Sequence, residues 1–273
     1  MNEAGLWAVV LGVSCGTGAA IARAVARDPG LSIFGVHRGN HPDLARAVQA
    51  DVQAAGQRVH LRKAEAGTAE AAAEGAEELL RVAGPRSVSF FVHSIANASV
   101  GRLVSGDGRL HPKQFQKTFD AMAHSFVYWA QELCARDLLA PSAHLLGLSN
   151  PMVDTVVTNT ALIAASKAAL ESYVRHLAHE LGPRGHRVNL LKFGAVSTTA
   201  FEETFGDDGA RLRALLRSVI PAGRISTTEE VARFVSILAG DGAKWFNGAT
   251  IDFTGGETLA LMNALLHPDK ETK

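Results

Sequence analysis

Seven short apolar runs, separated by longer amphipathic stretches, most constrain what this chain can fold into. They are Leu6–Leu11, Leu31–Val36, Arg58–Leu61, Ser87–Val92, His144–Leu148, Arg187–Leu191 and Ala249–Phe253. Most are leucine-rich or β-branched, with polar residues only at their ends. A strand whose two side-chain rows are both apolar suits a parallel sheet covered on both faces. Between the runs lie helical patterns at Ala19–Arg27, Pro42–Ala55, Ala69–Val82, Pro112–Arg136, Ala161–Leu181 and Thr227–Leu238. The last opens on Ser226-Thr227-Thr228-Glu229-Glu230, residue types that cap a helix start. Strand–helix alternation implies right-handed crossovers, and so an α/β, doubly wound parallel sheet of about seven strands with helices on both faces. No repeat, low-complexity segment or linker divides the 273 residues, so one domain over 1–273 is expected.

Composition narrows the partners. Hydrophobic residues make up 47% of the chain, enough to cover both faces of a sheet, and Lys+Arg and Asp+Glu each number 27. A formal net charge of zero argues against a nucleic-acid or membrane-surface partner, since both need a basic excess. Cys15 and Cys134 show neither disulfide nor metal-ligand spacing, which fits a reducing compartment. Met1-Asn2-Glu3 carries no basic charge, Leu6–Leu11 is too short for a signal sequence, and no apolar run reaches membrane-spanning length. A cytoplasmic protein is the expectation.

The first strand runs directly into Gly12-Val13-Ser14-Cys15-Gly16-Thr17-Gly18-Ala19. Glycines at this spacing let the chain turn tightly and bring backbone close to a pyrophosphate, and the helix that follows offers its unpaired N–H groups to that charge. The strand before and helix after make this a dinucleotide site on a Rossmann-type sheet, with Gly12, Ser14, Gly16, Gly18 and Ala19 as its first contacts. The second strand ends in Val36-His37-Arg38, where a site for an unphosphorylated ribose often places an acid. Arg38, beside His37, suits a 2′-phosphate through a bidentate fork, which favours NADPH over NADH. A solvated loop arginine is the alternative, so NADH stays open.

These residues resemble the short-chain dehydrogenase/reductase family. The spacing Gly12-x3-Gly16-x-Gly18 carries the likeness, with Glu180-Leu181-Gly182-Pro183-Arg184-Gly185-His186-Arg187-Val188-Asn189 before the sixth strand. So does the tail from Ile220-Pro221-Ala222-Gly223-Arg224 to Thr254-Gly255-Gly256. Within the family, Val92-His93-Ser94-Ile95-Ala96-Asn97 is similar to the fourth-strand motif of the enoyl-acyl-carrier-protein reductase branch, as is Ser125-Phe126-Val127 on the long helix. Ser149 lies eighteen residues before Lys167, the spacing of that branch. The resemblance implies cofactor contacts from Ser94, Ile95, Ala96, Gly194, Val196 and Thr198, and a lysine, Lys167, that holds the nicotinamide ribose. It further implies pairing through the two long helices into a homodimer or homotetramer.

In that branch hydride reaches the β-carbon of an α,β-unsaturated thioester, and a tyrosine stabilises the resulting enolate oxygen. Such a donor is worth roughly 3–4 kcal/mol. Here the tyrosine is missing. Thr160 stands with six residues between it and Lys167, and Ile163 stands where the wider family keeps its tyrosine. Asn150 occupies the place of a second aromatic, and Ala195 replaces the family's usual proline. Ketone reduction makes an alkoxide that needs a competent acid, which isoleucine cannot supply. A delocalised enolate needs mainly hydrogen-bond donors, which Thr160, Ser149 or Asn150 can provide. The leading expectation is therefore NADPH-dependent reduction of an enoyl thioester, in fatty-acid-like or specialised biosynthesis, with a carrier protein or CoA as handle. Reduction of a carbonyl or ring alkene, and a catalytically impaired cofactor-binding relative, stand as alternatives.

His93 is expected to be structural. His176 and His179 lack a third ligand at metal spacing, so no metal is expected. The polar stretch 198–220 is read as a substrate lid, with a plain surface excursion as the other reading. Lys63-Ala64 takes the place of an Asp-Val pair that touches adenine in the family, and Glu65 could rebuild that contact.

Overall fold

The computed structural model describes residues 5–104, 106–257 and 259, with backbone alone at 199, 200 and 241. The ends of the expected domain, 1–4 and 260–273, and positions 105 and 258 lie outside the described residues. The strands are β1 (Trp7–Leu11), β2 (Ser32–His37), β3 (Val59–Lys63), β4 (Val88–His93), β5 (Leu139–Ser149), β6 (Arg187–Phe193) and β7 (Thr250–Phe253). The helices are α1 (Gly16–Arg27), α2 (Pro42–Ala54), α3 (Ala69–Ala83), α4 (Pro112–Phe119), α5 (Ser125–Ala135), α6 (Ala161–Leu181), α7 (Thr199–Phe205), α8 (Asp208–Val219) and α9 (Thr228–Ala239). The strands form one parallel sheet in the order β3-β2-β1-β4-β5-β6-β7.

Period-two alternation divides the five inner strands between two cores, while β3 and β7 pack on one. Trp7, Val9 and Leu11 face one way, against Leu79 of α3, Phe126 and Trp129 of α5, and Leu170 of α6. Ala8 and Val10 face the other, against Ile21 and Val25 of α1, Val48 of α2 and Val235 of α9. Helix starts are chemically specified. Thr68 Oγ1 accepts from Ala71 N at 3.1 Å ahead of α3, and Thr227 and Glu230 form a reciprocal cap at α9. The chain order reverses between β1 and β4, and at such a switch point the carboxyl ends of an open sheet leave a crevice for ligands.

Two expected elements are corrected. The helix expected over Pro112–Arg136 runs through 112–135 but is not regular: a π-helical turn, Asp120–His124, lies between α4 and α5. There Ser125 Oγ donates to the Ala121 carbonyl at 2.9 Å, a side-chain bond that competes with regular helix pairing. The fifth strand begins at Leu139 rather than His144, because a register shift puts exposed Pro141 and Ser142 in its midst and breaks the apolar pattern. The stretch 198–220 contains α7 and α8, joined through Gly206. No helix among the described residues is long and apolar enough to cross a membrane.

Candidate active site

The glycine turn at the end of β1 is sterically exclusive. Gly12 has φ +84°, and a Cβ there would sit 2.2 Å from the Ser94 carbonyl oxygen. A Cβ on Gly18 would sit 2.1 Å from the Gly12 carbonyl oxygen. The Ser94 N–H donates to Leu11 O at 3.0 Å, so the ends of β1 and β4 are held together at this turn. Helix α1 begins at Gly16 behind Cys15, which supplies no side-chain cap. Its first N–H groups, with buried Ser14, Thr17 and Ala19 around them, are therefore left for an anion. Thr198 closes the opposite side: its Cγ2 lies 3.4 Å from where a Gly16 Cβ would be, and its Oγ1 accepts from Phe201 N at 3.3 Å. A cradle that side chains would fill and an uncapped helix start both fit a dinucleotide pyrophosphate.

At the end of β2, strand register places Lys63 of β3 beside His37. Lys63 covers Gly39, and its Cε lies 2.4 Å from where a Cβ of that glycine would be. Burial, then the Lys63 charge, holds the His37 imidazole below its ordinary pKa, and His37 Nδ1 is buried without a hydrogen-bond partner. Arg38 is exposed and has no ion-pair partner among the described residues. Two cations thus flank this corner where one was expected. Lys63 could be found only through the β2–β3 register.

The residues expected at the reaction centre come together at the carboxyl ends of β4 and β5. Lys167 of α6 is 4% exposed, and its Nζ donates to the carbonyls of Leu148 at 2.8 Å and Ile95 at 3.4 Å. Burial lowers its pKa to about 7. The Ser149 hydroxyl is buried without a hydrogen-bond partner. Asn150 accepts from Met152 N at 3.1 Å through Oδ1, which leaves its amide N–H groups to donate. Thr160 Oγ1 donates to Val157 O at 2.9 Å, so its proton is engaged. Ile163 is buried in an apolar cluster with Ala121 and Met122, against Ile95, Ala98 and Met152. Ile95 thus serves both the lysine and this apolar wall.

Behind the centre, His93 is fully buried, and burial, with the Lys167 charge, pushes its pKa down to about 3. Its Nε2 is 2.8 Å from Ser125 Oγ, and that hydroxyl donates to Ala121 O. A carbonyl only accepts, so the Ser125 proton is committed and His93 must donate through Nε2; this tautomer is assigned from the network. His93 therefore ties β4 to the π-helical turn.

At the end of β6, Gly194 and Val196 are buried beside Ala195. Sequence reasoning missed Glu257, which follows β7. A Cβ on Gly194 would lie 2.6 Å from its Oε2, and burial raises its pKa although the Ala195 N–H bonds to the carboxyl. His176 and His179 are exposed, and no cluster of metal-ligating side chains occurs among the described residues.

Comparison with known proteins agrees with the fold. A family model described as Enoyl-(Acyl carrier protein) reductase matches residues 12–258. The chain is 27% identical over 251 residues to 1-cyclohexenylcarbonyl-CoA reductase of Streptomyces collinus, covering 92% of this chain and 86% of that protein. It is 32% identical over 177 residues to enoyl-[acyl-carrier-protein] reductase [NADH] FabI of Escherichia coli (strain K12), covering 64% of this chain and 66% of that one. Among solved structures, a short-chain dehydrogenase/reductase from Serratia marcescens BCRC 10948 is similar with a TM-score of 0.81 at 26% identity, covering 93% of this chain and 98% of that chain. A short-chain dehydrogenase from Burkholderia cenocepacia J2315, in complex with NADP, shares the fold with a TM-score of 0.82 at 24% identity, covering 94% of this chain and 100% of that chain.

Proposed function

This chain belongs to the short-chain dehydrogenase/reductase family of NAD(P)H-dependent oxidoreductases, near its enoyl reductase branch, and from that premise we propose that it reduces an α,β-unsaturated thioester with NADPH. One observation carries the reading. The place of the family's phenol holds Ile163 inside an apolar cluster, while an unpartnered buried hydroxyl, Ser149, and the buried amine of Lys167 remain beside it. Such a site lacks the phenol that protonates an alkoxide in the family but has donors for a delocalised oxyanion.

When bound, the nicotinamide supplies hydride to the β-carbon. The alkene π pair then forms the double bond between the α-carbon and the carbonyl carbon while the carbonyl π pair moves onto the thioester oxygen. As that oxygen's charge returns, the α-carbon takes a proton from water, which leaves as hydroxide. Ser149 Oγ and the Asn150 amide donate to that oxygen, and Thr160 joins them only by leaving Val157 O. Lys167 orients the cofactor through the ribose hydroxyls. The glycine turn, Thr198 and the start of α1 hold the pyrophosphate; Ser94, Ile95, Ala96, Gly194 and Val196 line the nicotinamide side. Arg38 and Lys63 pair with the 2′-phosphate, which favours NADPH; the name of the Escherichia coli relative specifies NADH.

The reading extends to a cytoplasmic setting, a fatty-acid-like or specialised pathway, and a dimer or tetramer paired through α5 and α6. The half-buried His124, Tyr128 and Tyr173 supply an aromatic surface for that pairing, which light scattering tests. Cofactor oxidation with enoyl thioesters, ketones and quinoid substrates tests the reaction. Turnover on enoyl thioesters alone supports it. Turnover confined to ketones, or tight NADPH binding without turnover, replaces it with a carbonyl reductase or a catalytically impaired relative.

A further inference from the structure

The segment between β4 and α4 carries a second pair of cations, unrelated to the nucleotide corner. Arg102 N donates to Gly108 O at 3.1 Å, Leu110 N donates to Arg102 O at 2.9 Å, and Arg102 and Arg109 are bridge partners. Backbone pairing therefore holds two arginines at adjacent positions. Both are exposed, and neither has an ion-pair or hydrogen-bond partner for its side chain among the described residues. Like charges facing each other are unfavourable unless an anion lies between them.

Arg102 borders an open cleft of about 500 Å³ formed with Val100, Gly101, Asp107, Gly108 and Asn159, and Arg109 borders the cleft next to it, with Val100, Asp107 and Gly108 common to both. That second cleft, of about 550 Å³, continues past Val104, Arg109 and His111. Asp107 lines both and is the one carboxylate among their lining residues, with Arg102 on one side of it and Arg109 on the other. Val104 is 82% exposed, so the cleft also offers an apolar surface. The chain connects it to the reaction centre at two points. Asn159 precedes Thr160, and its carbonyl accepts from Gly101 N at 2.9 Å. Arg102 follows Ile95 by seven residues, which spans at most about 25 Å even fully extended. That lies within reach of a substrate carrying a long arm.

We propose that Arg102 and Arg109 clamp the 4′-phosphate of a phosphopantetheine thioester, with the arm lying over Val100 and Val104 toward Lys167. The inference rests on the enoyl-thioester reading and names the handle of that substrate. The 4′-phosphate is common to CoA and to a carrier-borne arm, and a bidentate guanidinium pair is well matched to it.

The test compares one enoyl group on CoA, on 4′-phosphopantetheine and on pantetheine, in wild type and in the Arg102→Gln/Arg109→Gln double variant, with NADPH affinity as the control for folding. The clamp predicts at least a tenfold loss of kcat/KM for both phosphorylated thioesters, expressed in KM, with the pantetheine thioester unchanged. Equal loss on all three, or no loss, overturns it; loss confined to CoA assigns the pair to another CoA phosphate and also overturns it. Calorimetric binding of 4′-phosphopantetheine and pantetheine to the NADP-loaded protein separates the two readings. Phosphate-dependent binding that disappears in the variant, without turnover of any thioester, upholds the clamp and removes the reductase. Phosphate-independent binding removes the clamp whatever the turnover.

Discussion

Lys167 donates its side-chain N–H to the Leu148 carbonyl at 2.8 Å, one residue before the unpartnered hydroxyl of Ser149. The end of β5 thus holds the amine in place before any cofactor arrives, at the cost of burying it. Its pKa of about 7 lies below the ordinary lysine value of 10.5, so the unfolded chain binds the proton more tightly. Stability should be lost as pH falls from above 10.5 through about 7. At neutral pH the buried ammonium costs on the order of 4 kcal/mol. Lys167→Met should therefore stabilise the cofactor-free protein at pH 7 by roughly 1–3 kcal/mol, after loss of its carbonyl bonds. The gain should shrink toward pH 10, and turnover should fall at least about 100-fold. Urea midpoints at the two pH values check this; destabilisation at pH 7 would contradict it.

Ser149 and Thr160 should separate in kinetics. Ser149→Ala removes the free hydroxyl and should lower kcat by about 10²–10³-fold with little change in NADPH affinity. Thr160→Val removes a hydroxyl already donated to Val157 O. Its kcat should therefore fall far less than that of Ser149→Ala; a comparable fall would show that Thr160 leaves that bond to hold the oxyanion, and an unchanged rate removes it from the mechanism. Stopped-flow hydride transfer distinguishes these outcomes from slow product release.

Arg38 and Lys63 share one corner and should share one ligand group. Arg38→Ala should weaken NADPH by roughly 10–100-fold while leaving NADH nearly unaffected, since a hydrogen bond to a charged group is worth about 1.5–3 kcal/mol. Lys63→Ala should act in the same direction. Fluorescence titration with both cofactors measures this, and equal weakening of NADH would rule out the 2′-phosphate contact.

Acid should unlock the far end of the sheet through His144. Its Nδ1 donates to Leu238 O at 3.0 Å, its Nε2 accepts from Asn189 Nδ2 at 2.9 Å, and burial lowers its pKa to about 4. The folded state holds it neutral, so stability present above pH 6.5 should be lost as pH falls through about 4. The full loss is on the order of 3 kcal/mol. His144→Leu should cost about 1–3 kcal/mol at pH 7 by leaving Leu238 O unpaired. The variant should show a shallower fall of the urea midpoint from pH 7 to pH 4, with the remaining slope owed partly to His93. An undiminished slope would assign the acid lability elsewhere.

The strand–helix alternation, the glycine turn and the position of Lys167 were legible in the sequence, because each rests on local pattern: apolar periodicity, glycine spacing and a lysine at fixed distance from Ser149. The missing phenol at Ile163 was legible only through the family resemblance. The π-helical turn after Phe119 was not, since it depends on Ser125 meeting Ala121 O and on His93, which approaches from a strand. The early start of β5 was hidden by Pro141 and Ser142, whose exposure has no one-dimensional signature. Tertiary structure alone decided that Lys63 joins Arg38, that Glu257 reaches Gly194, that Arg102 faces Arg109, and that the Thr160 proton is engaged while the Ser149 hydroxyl is free. Each of these depends on which strands and loops become neighbours, and on the donors and acceptors brought within bonding distance, and neither is specified by spacing along the chain.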